Sequence, residues 1–131
     1  MYFRNLVTIC LVSLTVACQS TPELTSELKQ ELETPLVCSG ESECSLMWER
    51  ATYFVSHNAG YKIQIHNNTV IETYNSVDSS VKLAFKVSKE PLGDGRYRIW
   101  TKAWCANIIS CHPNELETIA KAKRYIRVGR K

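Results

Sequence analysis

The cysteines constrain the fold of this chain more than any other feature of its sequence. Cys10, the first of six, lies in the uncharged and mostly apolar run from Leu6 to Val16, which is eleven residues long. A bilayer-spanning helix needs about 20 such residues, whereas this length is typical of the apolar region of a secretory signal peptide. The sequence therefore predicts export, with residues 1–17 removed as a signal peptide and Cys10 removed with them.

Cys18 follows directly, in the stretch TVAC, with the small residue Ala17 before it. This stretch resembles the lipobox of bacterial lipoproteins, in which the chain is cut before the cysteine and the thiol receives a diacylglyceryl group. Thr15 departs from the leucine usual at that position, and ordinary secretion with cleavage at the same bond is the alternative. Because a free N-terminal thiol would be open to oxidation, we expect lipidation of Cys18 and a membrane anchor. Gln19, where aspartate favours inner-membrane retention, points to the outer membrane.

Four cysteines remain in two pairs of identical C-x5-C spacing, Cys38 with Cys44 and Cys105 with Cys111. An even number in an exported domain is typical of disulfides, and three connectivities are open. We favour the two local bonds, because each closes a short loop. A zinc site made of all four is the alternative, although zinc ligand pairs normally have two to four residues between them. We therefore predict two disulfides, no metal site and no cofactor.

Residues 18–37 are predicted to form a flexible tether after the acylated cysteine. The segment lacks aromatic residues and contains Pro22 and Pro35. Leucines at every fourth position, 24 to 32, allow a short helix, but an isolated helix of this length is marginal in water. A single domain is predicted for residues 38–131, since 44% hydrophobic and 22% charged residues are ordinary globular values.

Hydrophobic periodicity predicts a helix, three or four strands and a second helix in this domain. Apolar residues recur at helical spacing after Ser42, the predicted N-cap, and place Trp48 in a buried stripe. They recur again behind Pro113, expected in the first turn of the last helix. Strands are predicted in YKIQI, TVIETY, VKLAFKV and RYRIWTKAWC, with Ile63 and Ile65 on one face and Val81, Leu83, Phe85 and Val87 facing inward. The expected fold class is α+β, an antiparallel sheet flanked by an N-terminal and a C-terminal helix.

Three features together, NNTVIETYN, the turn KVSKEPLGDGRYRI and the paired C-x5-C before a C-terminal helix, are similar to a group of small uncharacterised lipoproteins of Gram-negative proteobacteria. The resemblance runs from about Cys38 to the last helix. It implies an envelope location and one small domain. With the predicted anchor at Cys18, we expect an outer-membrane lipoprotein that faces the periplasm. The group has no established activity, so it assigns no catalytic residue to this chain.

We predict no enzymatic activity and no catalytic residue. The three histidines lie outside any H-E-x-x-H pattern, and the chain has no G-x-S-x-G motif. A disulfide oxidoreductase would need the C-x-x-C spacing that lowers the pKa of one thiol, which this chain lacks. The expected function is that of a structural or accessory factor of the envelope.

The last predicted strand carries the alternative function, a binding module. If Tyr97 and Ile99 face the core, the opposite face presents aromatic and basic side chains together, at Arg96, Arg98, Trp100, Lys102 and Trp104. Such a surface suits an envelope glycan or a protein partner. In the competing interpretation helices cover both faces of the sheet and the two tryptophans are core. Nucleic acid would also fit this chemistry, but export argues against it. The basic C-terminal helix is expected to be a solvated face, with contact to anionic lipid or glycan as the alternative.

Overall fold

The computed structural model describes residues 23–129, so the predicted signal peptide 1–17 and lipidation of Cys18 lie outside the described residues. It contains three helices and five strands. In chain order they are α1 (Ser26–Glu33), β1 (Val37–Ser39), α2 (Glu41–Asn58), β2 (Ile63–His66), β3 (Val70–Thr73), β4 (Ala84–Gly93), β5 (Arg96–Trp104) and α3 (Glu115–Val128). The strands form one antiparallel sheet in the order β1-β5-β4-β3-β2. The predicted α+β class is confirmed, with one strand more than expected.

Helix α2 buries the predicted apolar stripe. Its buried residues are Cys44, Met47, Trp48, Ala51, Phe54 and Val55, spaced so that they share one side of the helix. The predicted N-cap at Ser42 is wrong, because the helix begins at Glu41 behind Gly40. Gly40 has a φ of 80°, a left-handed conformation that glycine adopts without steric cost, and its carbonyl accepts from the Cys44 amide.

The core lies between α2, α3 and one face of the sheet. Phe85 of β4 is fully buried and meets Phe54 edge to face, with ring centroids 6.2 Å apart. Other buried residues of this face are Ile71, Thr73, Val87, Ile99 and Ala103. The Thr73 hydroxyl accepts from the Phe85 amide at 2.9 Å, which satisfies a buried backbone donor.

The predicted inward position of Val81 and the predicted common face of Ile63 and Ile65 are both wrong. Val81 is 36% exposed, because it lies in the loop before β4 rather than in a strand. Ile65 is also exposed, because a register irregularity between Ile63 and Ile65 ends their common orientation.

Helix α3 begins at Glu115, behind the N-cap Asn114, whose side-chain oxygen accepts from the Glu117 amide. Pro113 therefore precedes the helix and does not occupy its first turn.

At the C-terminal end of α3, the Arg50 guanidinium of α2 donates to the carbonyls of Ile126 and Arg127, at 3.3 and 3.0 Å. Arg50 thus ties the two core helices together and satisfies carbonyls that a helix end leaves free.

The predicted flexible tether, residues 18–37, differs from the structure over the part that is described. Residues 26–33 form α1, which packs on α3 although none of its residues is fully buried. Ion pairs dominate this contact: Glu31 binds Arg127, and Glu27 lies 3.4 Å from Arg124. Lys123 donates to the Leu32 carbonyl, and burial together with the nearby Arg127 charge lowers the pKa of Lys123. The folded domain therefore extends back beyond the predicted boundary at Cys38.

Both predicted disulfides are confirmed. Cys38 bonds Cys44, with Cα atoms 5.1 Å apart, and Cys105 bonds Cys111, with Cα atoms 5.7 Å apart. The first joins β1 to α2, and the second closes the loop between β5 and α3. None of the helices described between residues 23 and 129 is long and apolar enough to cross a membrane.

Candidate functional site on the open sheet face

The predicted aromatic and basic residues lie on the sheet face that points away from α2 and α3. Pairing of β4 with β5 sets their positions, because directly opposed residues share a face. Lys102 lies opposite Lys86, Trp100 opposite Ser88, and Arg98 opposite Glu90. Arg96, Trp100 and Lys102 are exposed and Arg98 is half-buried. We call this surface, formed by Arg96, Arg98, Trp100, Lys102 and Trp104 with their β4 neighbours, the open face.

Trp100 is the centre of the open face and is 50% exposed. Its indole Nε1 donates to Glu90 Oε2 at 2.8 Å, and the Arg98 guanidinium carbon lies 5.3 Å from the ring centroid. The carboxylate and the cation hold the ring in one orientation, while much of its surface remains in solvent. The interpretation in which helices cover both faces is therefore wrong for Trp100.

Trp104 is less accessible than Trp100. It is half-buried, and the residue directly opposite it, Ala84, is fully buried. The small alanine leaves room for the indole to lie against the sheet. Trp104 therefore extends the aromatic surface at its edge and contributes less exposed area than Trp100.

The open face has an excess of unpaired cations. Lys86 is neutralised by Glu72 at 2.9 Å. Among residues 23–129, by contrast, no carboxylate lies within ion-pair distance of Arg96, Arg98 or Lys102. These three charges are the basis for recognising an anion.

A groove of about 370 Å³ opens beside the open face, at the edge of β5. Leu32, Pro35 and Ile119 supply apolar walls, and Trp100 and Arg98 line the side next to the open face. Two buried polar atoms here, Arg98 Nε and Thr101 Oγ1, have no hydrogen-bond partner among the described residues. Buried polar atoms without a partner are uncommon in folded proteins, and neither of these two is accessible from the groove.

A second cleft, of about 430 Å³, lies at the opposite face of the sheet and was not predicted. The Lys89 ammonium sits 5.0 Å from the Trp48 ring centroid and 5.2 Å from that of Tyr97. Trp48 is nevertheless buried, as predicted, and its Nε1 donates to the Asn67 carbonyl at 3.0 Å. The three residues come from α2, β4 and β5, so no local sequence pattern could bring them together. The Lys89 ammonium already lies over the two aromatic rings. We therefore interpret this cluster as a structural contact and not as a binding site.

The comparisons with known proteins give no match: no family model, no curated protein and no solved structure is similar to this chain. The resemblance to small envelope lipoproteins therefore stays a prediction. Within residues 23–129, no three His, Cys, Asp or Glu side chains are grouped closely enough to hold a metal ion.

Proposed function

We propose that this chain is a lipoprotein of the bacterial envelope, acylated at Cys18 and facing the periplasm from the outer membrane. The short apolar run before TVAC and the small Ala17 support the proposal. Two disulfides in a domain of this size suit an oxidising compartment. The domain acts without catalysis, as an accessory factor that holds an envelope component.

We further propose that the open face is the binding surface and that its ligand is an anionic glycan. One observation carries this proposal: an exposed, oriented Trp100 lies among three cations that have no carboxylate partner within residues 23–129. The apolar face of a sugar ring packs on an indole, while carboxylate or phosphate groups on the glycan bind arginine and lysine.

The anchor is tested by the variant Cys18→Ser. Dual or triple acylation anchors a protein stably, whereas one acyl chain binds a membrane only reversibly. The wild-type protein should incorporate labelled palmitate and sediment with membranes, and Cys18→Ser should do neither. A variant that still sediments with membranes after export, or a wild type that takes up no palmitate, would show that Cys18 is not the anchor.

The open face is tested by sedimentation with purified peptidoglycan sacculi and by binding to lipopolysaccharide. We expect the wild type to bind one of these anionic glycans, with affinity that falls as salt is added. Trp100→Ala and Arg98→Ala should each weaken binding at least about tenfold, which corresponds to losing about 1.4 kcal/mol. Lys102→Gln should weaken it less and reduce the salt dependence.

Matched controls come from exposed residues elsewhere on the domain. Tyr74→Ala removes an exposed aromatic ring outside the open face, and Lys62→Gln removes an exposed cation. Both should bind like the wild type, and thermal melts should show that all five variants fold. Equal binding by Trp100→Ala and Tyr74→Ala would refute a role for the open face. If the protein instead binds neither glycan and forms protein adducts from a photoreactive residue at position 100, that outcome would favour a protein partner for the open face.

A further inference from the structure

The loop between β5 and α3 exposes two adjacent isoleucines almost completely. Ile108 is 99% exposed and Ile109 is 88% exposed. A single exposed aliphatic residue is ordinary in a soluble protein, but isoleucine is among the residues most often fully buried. Two such side chains side by side at a loop tip expose apolar surface that folding does not require. This feature lies outside the open face and has no role in the function proposed above.

The same loop is rigidly held at its base. The Cys105–Cys111 disulfide closes it, and the Asn107 side-chain oxygen accepts from the amides of Ile109 and Ser110, at 2.9 and 3.1 Å. The Asn107 amide group donates to the Ser79 carbonyl at 3.0 Å, which fixes the loop to the neighbouring loop before β4. The two isoleucines are therefore presented in a fixed position, and little conformational entropy is lost when they bind.

The neighbouring loop extends the apolar character of the tip. Val77 and Val81, both exposed, belong to the neighbouring loop, whose Val81 carbonyl accepts from the His112 amide. Asp78 and Lys82 are the charged residues of this loop, and the Lys82 stem lies against Gly60. An apolar protrusion of this kind matches the boundary between lipid headgroups and acyl chains.

We propose that Ile108 and Ile109 insert into the interfacial layer of the lipid bilayer that holds the acylated Cys18, so that the domain is attached at two points. This inference rests on the proposed function, because the lipid on Cys18 determines which bilayer lies near the domain. The exposure of the two isoleucines is an independent observation. The lipid at Cys18 supplies the stable anchor. The tip supplies a weak second contact that sets the orientation of the domain, because the anchor keeps it at a high effective concentration near the membrane.

The chain is long enough for both contacts to reach one bilayer. Helix α1 contacts α3 through Arg124 and Arg127, at the end of α3 that is farthest from the loop. From Glu115 to Arg127 the helix advances about 18 Å. Residues 19–25, which join Cys18 to α1, can span at most about 25 Å when extended. The lipid on Cys18 and the loop tip can therefore reach the same membrane surface.

The first test uses the unlipidated mature chain carrying Cys18→Ser and vesicles of phosphatidylcholine with one quarter phosphatidylglycerol. We expect weak flotation with the vesicles, reduced at least tenfold in the double variant Ile108→Ser/Ile109→Ser. Leu46→Ser, which removes an exposed aliphatic side chain of α2, is the matched control and should float like the parent. Equal flotation of the double variant and its parent would overturn the proposal, as would no flotation at all. Because this test needs no lipid on residue 18, its outcome is independent of palmitate labelling.

The second test uses the full-length chain in cells, with a photoreactive residue in place of Ile109. Mass spectrometry of the irradiated protein should find phospholipid adducts at position 109, and none when the same residue replaces Val128, an exposed residue at the far end of α3. Adducts with a protein would identify the tip as a docking element for a partner and would refute membrane insertion. Absence of any adduct would also refute it.

Discussion

The two disulfides of this domain have the same spacing in the sequence and very different surroundings in the structure. Cys38 and Cys44 are 1% and 4% exposed, and they lie in the core beside Met47 and Trp48. Cys105 and Cys111 are half-buried and close a loop whose tip carries the exposed Ile108 and Ile109. Equal spacing therefore predicts which cysteines pair, but the hydrophobic pattern around each cysteine decides whether its bond lies in the core or supports a surface.

The largest effect is expected for the buried bond. Cys38→Ala/Cys44→Ala removes a cross-link, worth about 2 kcal/mol for so short a loop, and also leaves a small cavity in the core. We expect the free energy of unfolding to fall by about 3 kcal/mol, measured by urea denaturation of the oxidised proteins. A loss no larger than that of the other bond would show that burial contributes nothing.

The exposed bond should contribute less to stability and more to local order. Cys105→Ala/Cys111→Ala should lower the free energy of unfolding by about 2 kcal/mol or less, because these two cysteines border the core and are only half-buried. Hydrogen exchange of the Ile109 and Ser110 amides, both bonded to Asn107, should become faster. Unchanged exchange at these amides would mean that the Asn107 bonds alone hold the loop.

The two disulfides should be reduced at different rates, because their sulfur atoms differ in accessibility to a thiol reagent. A thiolate must reach a sulfur atom to attack it, so the half-buried Cys105–Cys111 bond should be reduced at least about tenfold faster than the buried one. Timed dithiothreitol treatment without denaturant, followed by alkylation and mass spectrometry, measures both rates. Equal rates would indicate that reduction occurs only from the globally unfolded chain.

The smallest effect on stability is expected at the loop tip itself. Ile108→Ser/Ile109→Ser replaces solvent-exposed side chains and should change the free energy of unfolding by less than about 0.5 kcal/mol. Leu36→Ser, by contrast, replaces a fully buried residue of the core and serves as the destabilised reference in the same denaturation series. A large loss of unfolding free energy in the double variant would show that the two isoleucines make stabilising contacts and are not freely exposed.

Sequence reasoning predicted the elements whose periodicity is local. The apolar stripe of α2 and the alternation along β5 both follow from the spacing of Trp48, Phe54, Ile99 and Trp100 along single elements. The disulfides followed from the even number of cysteines, the predicted export and the equal spacing of the two pairs. These features depend on side chains a few residues apart, and a regular element converts that spacing directly into a shared face.

Features that depend on distant segments were not predictable in the same way. Strand β1 has three residues, and it forms by pairing with the free edge of β5. Leu36, the residue before it, is buried. Helix α1 is too short to be stable alone, and it forms against the arginines of α3. The position of the Lys89 ammonium over the Trp48 ring likewise depends on segments that are far apart in the sequence. In the candidate site, the sequence indicated the aromatic and basic residues but not their hydrogen bonds or exposure.

The strand order also has a consequence for the sequence of folding events. Strands β2 to β5 are consecutive neighbours, so each can pair with the strand made just before it. β1 pairs only with β5, about 60 residues later in the chain. Closing so long a loop is slow, because its entropy is lost before the contact is gained. The Cys38–Cys44 loop can therefore close early, whereas β1 can pair only after β5 has formed. Any truncation before Arg96 leaves β1 without the strand that it pairs with.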